Sequence, residues 1–143
     1  MTQSPMTQSP MTQRALIIDD SKAMRSILRR IVAGLGFETA EAAHGREALD
    51  HLEAATATGR VPHLCLIDWN MPVMDGYTFI TEVRRRPEWR HVTLMMVTTE
   101  SEQGQIVRAL AAGAHEYVIK PFTPDAIVEK LELLGLVGKG VLA

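Results

Sequence analysis

Four short apolar runs in this chain end on side chains that can do chemistry. ALII is followed by Asp19 and Asp20, LCLI by Asp68, TLMMV by Thr98, and EYVI by Lys120. Three carboxylates gathered at one place repel one another and are stable only with a cation among them. No His or Cys stands at these run ends, so the donors are hard oxygens, a set that suits Mg²⁺ with several of its waters retained. Lys120 and Thr98 would add an ammonium and a hydroxyl, the natural partners of a phosphoryl group beside that metal. Asp68 stands alone, whereas Asp19 and Asp20 are adjacent and better suited to holding metal. Asp68 is therefore the candidate nucleophile, forming an aspartyl phosphate. Taken singly, each residue has a plainer role: Asp19 or Asp20 as a helix cap, Asp68 in a turn, Thr98 in a strand. Only their convergence makes a site.

The elements that must bring them together can be read from the pattern. Ala15 to Ile18 is a short strand. Met24, Ile27, Leu28, Ile31, Val32 and Leu35 then recur at helical spacing, with Asp20 or Ser21 as cap and Gly34 and Gly36 as stop. Phe37 to Ala43 alternates like a more exposed strand, and Gly45 to about Ala57 is a second helix. Leu64 to Ile67 is the third strand, followed by a helix from Gly76 to about Arg86 that Pro87 closes. Thr93 to Val97, Gln103 to Ala112, Glu116 to Ile119 and Thr123 to Leu134 supply the fourth strand and helix and the fifth pair. Strands that are continuous apolar runs alternating with helices predict an α/β, doubly wound five-stranded parallel sheet with five helices. Such a sheet places its crevice at the carboxyl ends of the strands, where all four run ends lie.

The pieces IIDDS, IDWNMPVMDG, MVTTE and AGAHEYVIKPFT, in this order at successive strand ends, resemble the receiver domains of response regulators, and within them the single-domain chemotaxis regulators. The resemblance spans roughly residues 14–135 and implies the flavodoxin-like strand order 2-1-3-4-5. Carried over by position, it implies Asp68 as phosphoacceptor and Asp20 and Asp68 as direct Mg²⁺ ligands. Asp19 would hold metal-bound water, and the Asn70 backbone carbonyl would be a further ligand. Lys120 would contact the phosphoryl group, Thr98 would be the switch hydroxyl, and Tyr117 the aromatic that turns inward. Asn70 and Glu100 would tune phosphoryl lifetime, and the Lys120–Pro121 peptide would be cis. Thr99 stands where alanine is common, which is expected to crowd the path of Tyr117. The segment ESEQGQ lacks the lysines of the enteric chemotaxis protein, so the resemblance does not carry the same motor partner with it.

The implied function is that of a stand-alone two-component response regulator. It accepts a phosphoryl group from a histidine kinase with Mg²⁺ and signals by phosphorylation-dependent protein binding. The output face would be helix four, strand five and helix five, with the flagellar motor switch as one candidate partner. The alternative is a phosphorelay shuttle or phosphate sink that acts on no motor. The chain would not be an enzyme in the usual sense, beyond catalysing its own phosphorylation and dephosphorylation. A Mg²⁺-dependent phosphatase with an aspartate nucleophile fits poorly, because such enzymes carry Asp-x-Asp after the first strand.

Composition fits one domain. The 143 residues are 46% hydrophobic and 22% charged, and 15 basic against 17 acidic residues give a net charge of −2. That balance predicts no nucleic-acid partner. No run reaches the roughly 18 apolar residues of a membrane span, and no signal peptide is recognisable. A lone Cys65 inside an apolar run reads as core. A cytoplasmic monomer is expected, with a receiver domain over residues 14–137 between a disordered tail, 1–13, and a short C-terminal tail, 138–143. Trp69 is expected near the surface beside the site, and Arg84 to Arg86 on a solvated helix end.

Overall fold

The computed structural model describes residues 12–138. The apolar runs form the strands β1 (Arg14–Ile18), β2 (Glu38–Ala42), β3 (Leu64–Ile67), β4 (Thr93–Thr98) and β5 (Glu116–Ile119). Between them run α1 (Lys22–Gly34), α2 (Gly45–Thr58), α3 (Gly76–Arg84) and α4 (Gln103–Ala112), and α5 (Pro124–Leu133) follows β5. All neighbouring strands are parallel, in the order β2-β1-β3-β4-β5. Residues 1–11 of the expected N-terminal tail, and 139–143 of the C-terminal one, lie outside the described residues.

Successive strand residues point to opposite faces of the sheet, so each strand feeds two cores. Leu16, Ile18, Cys65, Ile67, Leu94 and Met96 pack with Leu49, Leu52, Phe79, Ile80 and Ala109 from α2, α3 and α4. On the other face Ile17, Leu64, Leu66, Met95 and Val97 pack with Leu28 and Val32 of α1 and Ile127 and Leu131 of α5. Each fully buried aliphatic side chain contributes about 1.5–3 kcal/mol relative to exposure. A one-residue slip of β3 would exchange its two faces, so the register that sets the strand ends is firmly held.

Helix ends are capped as the sequence allows. Ser21, His44, Asp75 and Thr123 accept backbone N–H groups in the first turns of α1, α2, α3 and α5. α4 begins at Glu102 without a side-chain cap and buries only Ala109 among its residues. It is the least anchored of the five helices.

Two expectations are corrected. α3 ends at Arg84, and Pro87 opens a 3-10 turn, Pro87–Trp89, rather than merely closing a helix. Arg84 is not on a solvated face: its guanidinium donates to the carbonyls of Gly113 (3.1 Å), Val92 (2.9 Å) and Trp89 (3.3 Å). It thereby ties α3 to the end of α4 and to the approach to β4. Cys65 is fully buried, and burial pushes its thiol up to about 12, as expected of a core residue.

Candidate functional site

Three of the sites continue the sheet by one backbone hydrogen bond each. The Asp19 N–H donates to Ala42 of β2 (3.1 Å), Asp68 to Ile18 of β1 (2.9 Å) and Lys120 to Thr98 of β4 (2.9 Å). The side chains therefore leave the carboxyl edge of the sheet from backbone that is still held in the ladder. Asp19 is buried, with 1% exposure, Asp68 is 8% exposed, and Thr98 is fully buried. Asp20 lies in solvent. One carboxylate oxygen from each of Asp19, Asp20 and Asp68 lies within 4.8 Å of the others.

The three acids are not equivalent. Asp19 accepts at Oδ1 from the Ser21 N–H (2.9 Å) and at Oδ2 from Lys120 Nζ (2.8 Å). Lys120 Nζ is also 3.7 Å from Asp68 Oδ2, so it bridges two acids that would otherwise repel. Burial pushes the Asp68 carboxyl above its usual range, and the nearby Asp19 charge adds to this. Hydrogen bonding from Thr98 and from the Trp69 backbone, and the Lys120 charge, pull it back. A cation bound here would favour the charged form further. The exposed Asp20 carboxylate has no donor on it among the described residues, which leaves it open to a hydrated ion. Oxygen donors only, partly hydrated and net negative, are compatible with Mg²⁺ and unsuited to a soft metal.

The remaining candidates lie on the same rim. Asn70 is exposed in the loop after Asp68. The Thr98 hydroxyl accepts from the Glu100 N–H (3.3 Å), and the Glu100 carbonyl accepts from the Tyr117 hydroxyl (2.6 Å). Tyr117 is half-buried, and burial and nearby Glu100 and Asp68 push its phenol up to about 12. Thr99 is exposed, next to the buried Thr98. The Lys120–Pro121 peptide is cis.

Matching in order and position, residues 15–132 fit the model of the response regulator receiver domain. The chain belongs to that family. It is 38% identical over 122 residues to the chemotaxis protein CheY1 of Helicobacter pylori, covering 85% of this chain and 95% of that one. The solved structure of Vibrio cholerae CheY4 superposes with a TM-score of 0.77 at 31% identity, covering 86% and 98%. A CheX–CheY–BeF3–Mg²⁺ complex from Borrelia burgdorferi shares the fold at 22% identity, with a TM-score of 0.78 and coverage of 86% and 89%. A receiver domain is a signalling module rather than an enzyme of the usual kind, and its similarity to chemotaxis regulators extends over most of the chain. No helix among the described residues is long and apolar enough to cross a membrane.

Several features of this receiver site escape a reading of the sequence. Trp69 is not near the surface: it is 6% exposed, stacked on Tyr77 with ring centroids 5.6 Å apart. Arg108 of α4 lies over Tyr77 at 4.4 Å and over Trp69 at 6.0 Å. The Arg25 guanidinium donates to the Asp19 carbonyl (2.7 Å) and helps hold that residue. At Gly76 a Cβ would collide with the Asp68 carbonyl, so α3 can start against the phosphoacceptor candidate only with glycine there. The Asp75-Gly76 pair, read as a helix start, was the available signal.

Proposed function

We propose that this receiver is a two-component response regulator that accepts a phosphoryl group on Asp68 from a histidine kinase and signals in chemotaxis by binding a partner protein. The observation that carries the proposal is the convergence of Asp19, Asp20 and Asp68 from two strands on Lys120 from a third. An ionised Asp68 oxygen attacks the phosphorus of the donor phosphohistidine. The new P–O bond forms as the P–N bond breaks, and the imidazole leaves with the electron pair and takes up a proton. Mg²⁺, held by Asp20, Asp68 and the Asn70 carbonyl with Asp19 acting through water, would supply charge neutralisation on the phosphoryl oxygens. Lys120 and the Thr98 hydroxyl orient the same oxygens. Asn70 and Glu100, at the mouth of the site, regulate how fast water removes the phosphoryl group.

The output follows from the chain of contacts through Thr98, Glu100 and Tyr117. Drawing the Thr98 hydroxyl toward the phosphoryl group alters its bond to Glu100, and Glu100 is bonded to Tyr117. The result is a shift between two packings of α4, β5 and α5. Four large apolar side chains are exposed on those elements, Val107, Leu110, Ile119 and Leu133, and are available for a protein partner to cover. The domain would work in the cytoplasm as a monomer, with the flagellar motor switch as one class of partner. Incubation with radiolabelled acetyl phosphate and Mg²⁺ tests the central claim. Parent protein should acquire acid-stable, hydroxylamine-labile label, and Asp68→Asn should acquire none; label retained at the parental rate would refute it.

A further inference from the structure

α4 is held by little of its own: one buried residue, no side-chain cap, and a glycine, Gly104, in its first turn. Its position must therefore be set by contacts made from its sides. One is the Tyr117–Glu100 bond at the loop that leads into it. A second is Arg84 of α3, which donates to the Gly113 carbonyl at its far end (3.1 Å). A third is Arg108, whose guanidinium covers the Trp69–Tyr77 ring pair and whose Nη1 donates to Gln105 Oε1 (2.8 Å), which fixes its plane. Trp69 is the residue after Asp68, and its carbonyl accepts from the Gly76 N–H (2.9 Å). Its ring is buried although it sits in a loop, because Tyr77 from α3 and Arg108 from α4 cover it.

We infer that Arg108 is a positioning residue: by clamping the Trp69–Tyr77 pair from α4, it fixes the residue beside Asp68 and couples the aim of that carboxylate to the position of α4. This rests on the reading of Asp68 as phosphoacceptor. The coupling runs along the β3–α3 side of α4, separate from the Thr98–Tyr117 connection on its β5 side. It works in both directions, since whatever moves α4 loosens the clamp and whatever orders the Asp68 loop tightens it. A cation–π contact of this kind is worth a factor of roughly two to five in an equilibrium.

The test uses the full chain carrying Trp89→Phe, so that Trp69 is the sole emitter, with Arg108→Ala and Arg108→Lys compared in that background. In metal-free protein, acrylamide quenching of Trp69 should rise in Arg108→Ala. With saturating acetyl phosphate and Mg²⁺, its maximal labelling rate should fall by about two- to five-fold at an unchanged half-saturating Mg²⁺ concentration. Arg108→Lys, a cation without the flat guanidinium, should recover part of both losses. Unchanged quenching, or an unchanged maximal rate, in Arg108→Ala would overturn the inference while leaving the phosphoacceptor standing. A background protein that takes no label on Asp68 would instead overturn the reading on which the inference rests.

Discussion

Val73 sits in the loop between Asp68 and α3 with φ at 68°, the left-handed region, and its side chain is 77% exposed. A β-branched residue there costs about 1–2 kcal/mol relative to one that tolerates this conformation. An exposed side chain gains almost nothing from packing to offset that cost. Val73→Asn should therefore stabilise the protein by about 1 kcal/mol and raise Tm by roughly 3–5 °C, read by calorimetry. An unchanged or lower Tm would show that the valine is not strained. At the same scale, the site separates two acids that look alike in sequence. Asp19 is locked by Ser21 and Lys120, while Asp68 keeps a carboxylate whose charge is opposed by burial. On the proposed reading, the first is rigid support and the second is the reactive group.

Between elements, Arg84 does for the α3–α4 side of the sheet what an apolar residue cannot. It reaches the carbonyls of Gly113, Val92 and Trp89 and, at 3.5 Å, Arg90, and the Gly113 position has no room for a Cβ beside it. Removing it leaves the Gly113 and Val92 carbonyls without the guanidinium that serves them, while Trp89 keeps the Val92 N–H (3.0 Å). Arg84→Ala should cost about 2–3 kcal/mol in urea denaturation, and Arg84→Lys should recover little, because an ammonium cannot span three acceptors. A loss below about 0.5 kcal/mol would mean that water replaces the guanidinium. The contrast between Arg84 and the strands shows what could be read in advance. LCLI gave β3 to the residue, since a fully apolar run that ends on a chemically active side chain admits one assignment, and EYVI gave β5 from its place between Gly113 and Pro121. The strand-end rule then gathered Asp19, Asp20, Asp68, Thr98 and Lys120 on one rim without any coordinates. Arg84 and Trp69 were misplaced for one shared reason. Their partners, Gly113 for the one and Tyr77 and Arg108 for the other, come from separate elements, and no local period encodes a contact between helices.

Across the whole molecule, the amino edge of the sheet has its own pH dependence, distinct from the acidic carboxyl edge. His63 and His115 occupy equivalent places before β3 and β5. His63 Nδ1 accepts from the Arg14 backbone N–H (2.9 Å) while the His63 backbone N–H donates to the Arg14 carbonyl (2.8 Å). His115 makes the same pair with Leu94, at 3.1 and 2.7 Å. An imidazole that accepts at Nδ1 must be unprotonated there. Burial, then the Arg14 cation and His91, hold His63 below its usual range; burial, then Arg84, do so for His115. Above the unfolded value of about 6.5 both states are neutral and the contribution is complete. As pH falls below that, the unfolded chain binds protons that the folded one refuses, so stability declines until the depressed folded values are passed. His51, also lowered by burial, adds in the same direction. The urea midpoint should therefore fall between pH 7.5 and 5.5, and fall less in His63→Asn, whose Oδ1 can accept from Arg14 at any pH. An equal fall in that variant would move the dependence to His115, to His51 or to the carboxylates of the opposite rim. A shallower one would place part of the dependence on His63, at the amino edge of the sheet, where protonation of the imidazole competes with its bond from the Arg14 N–H.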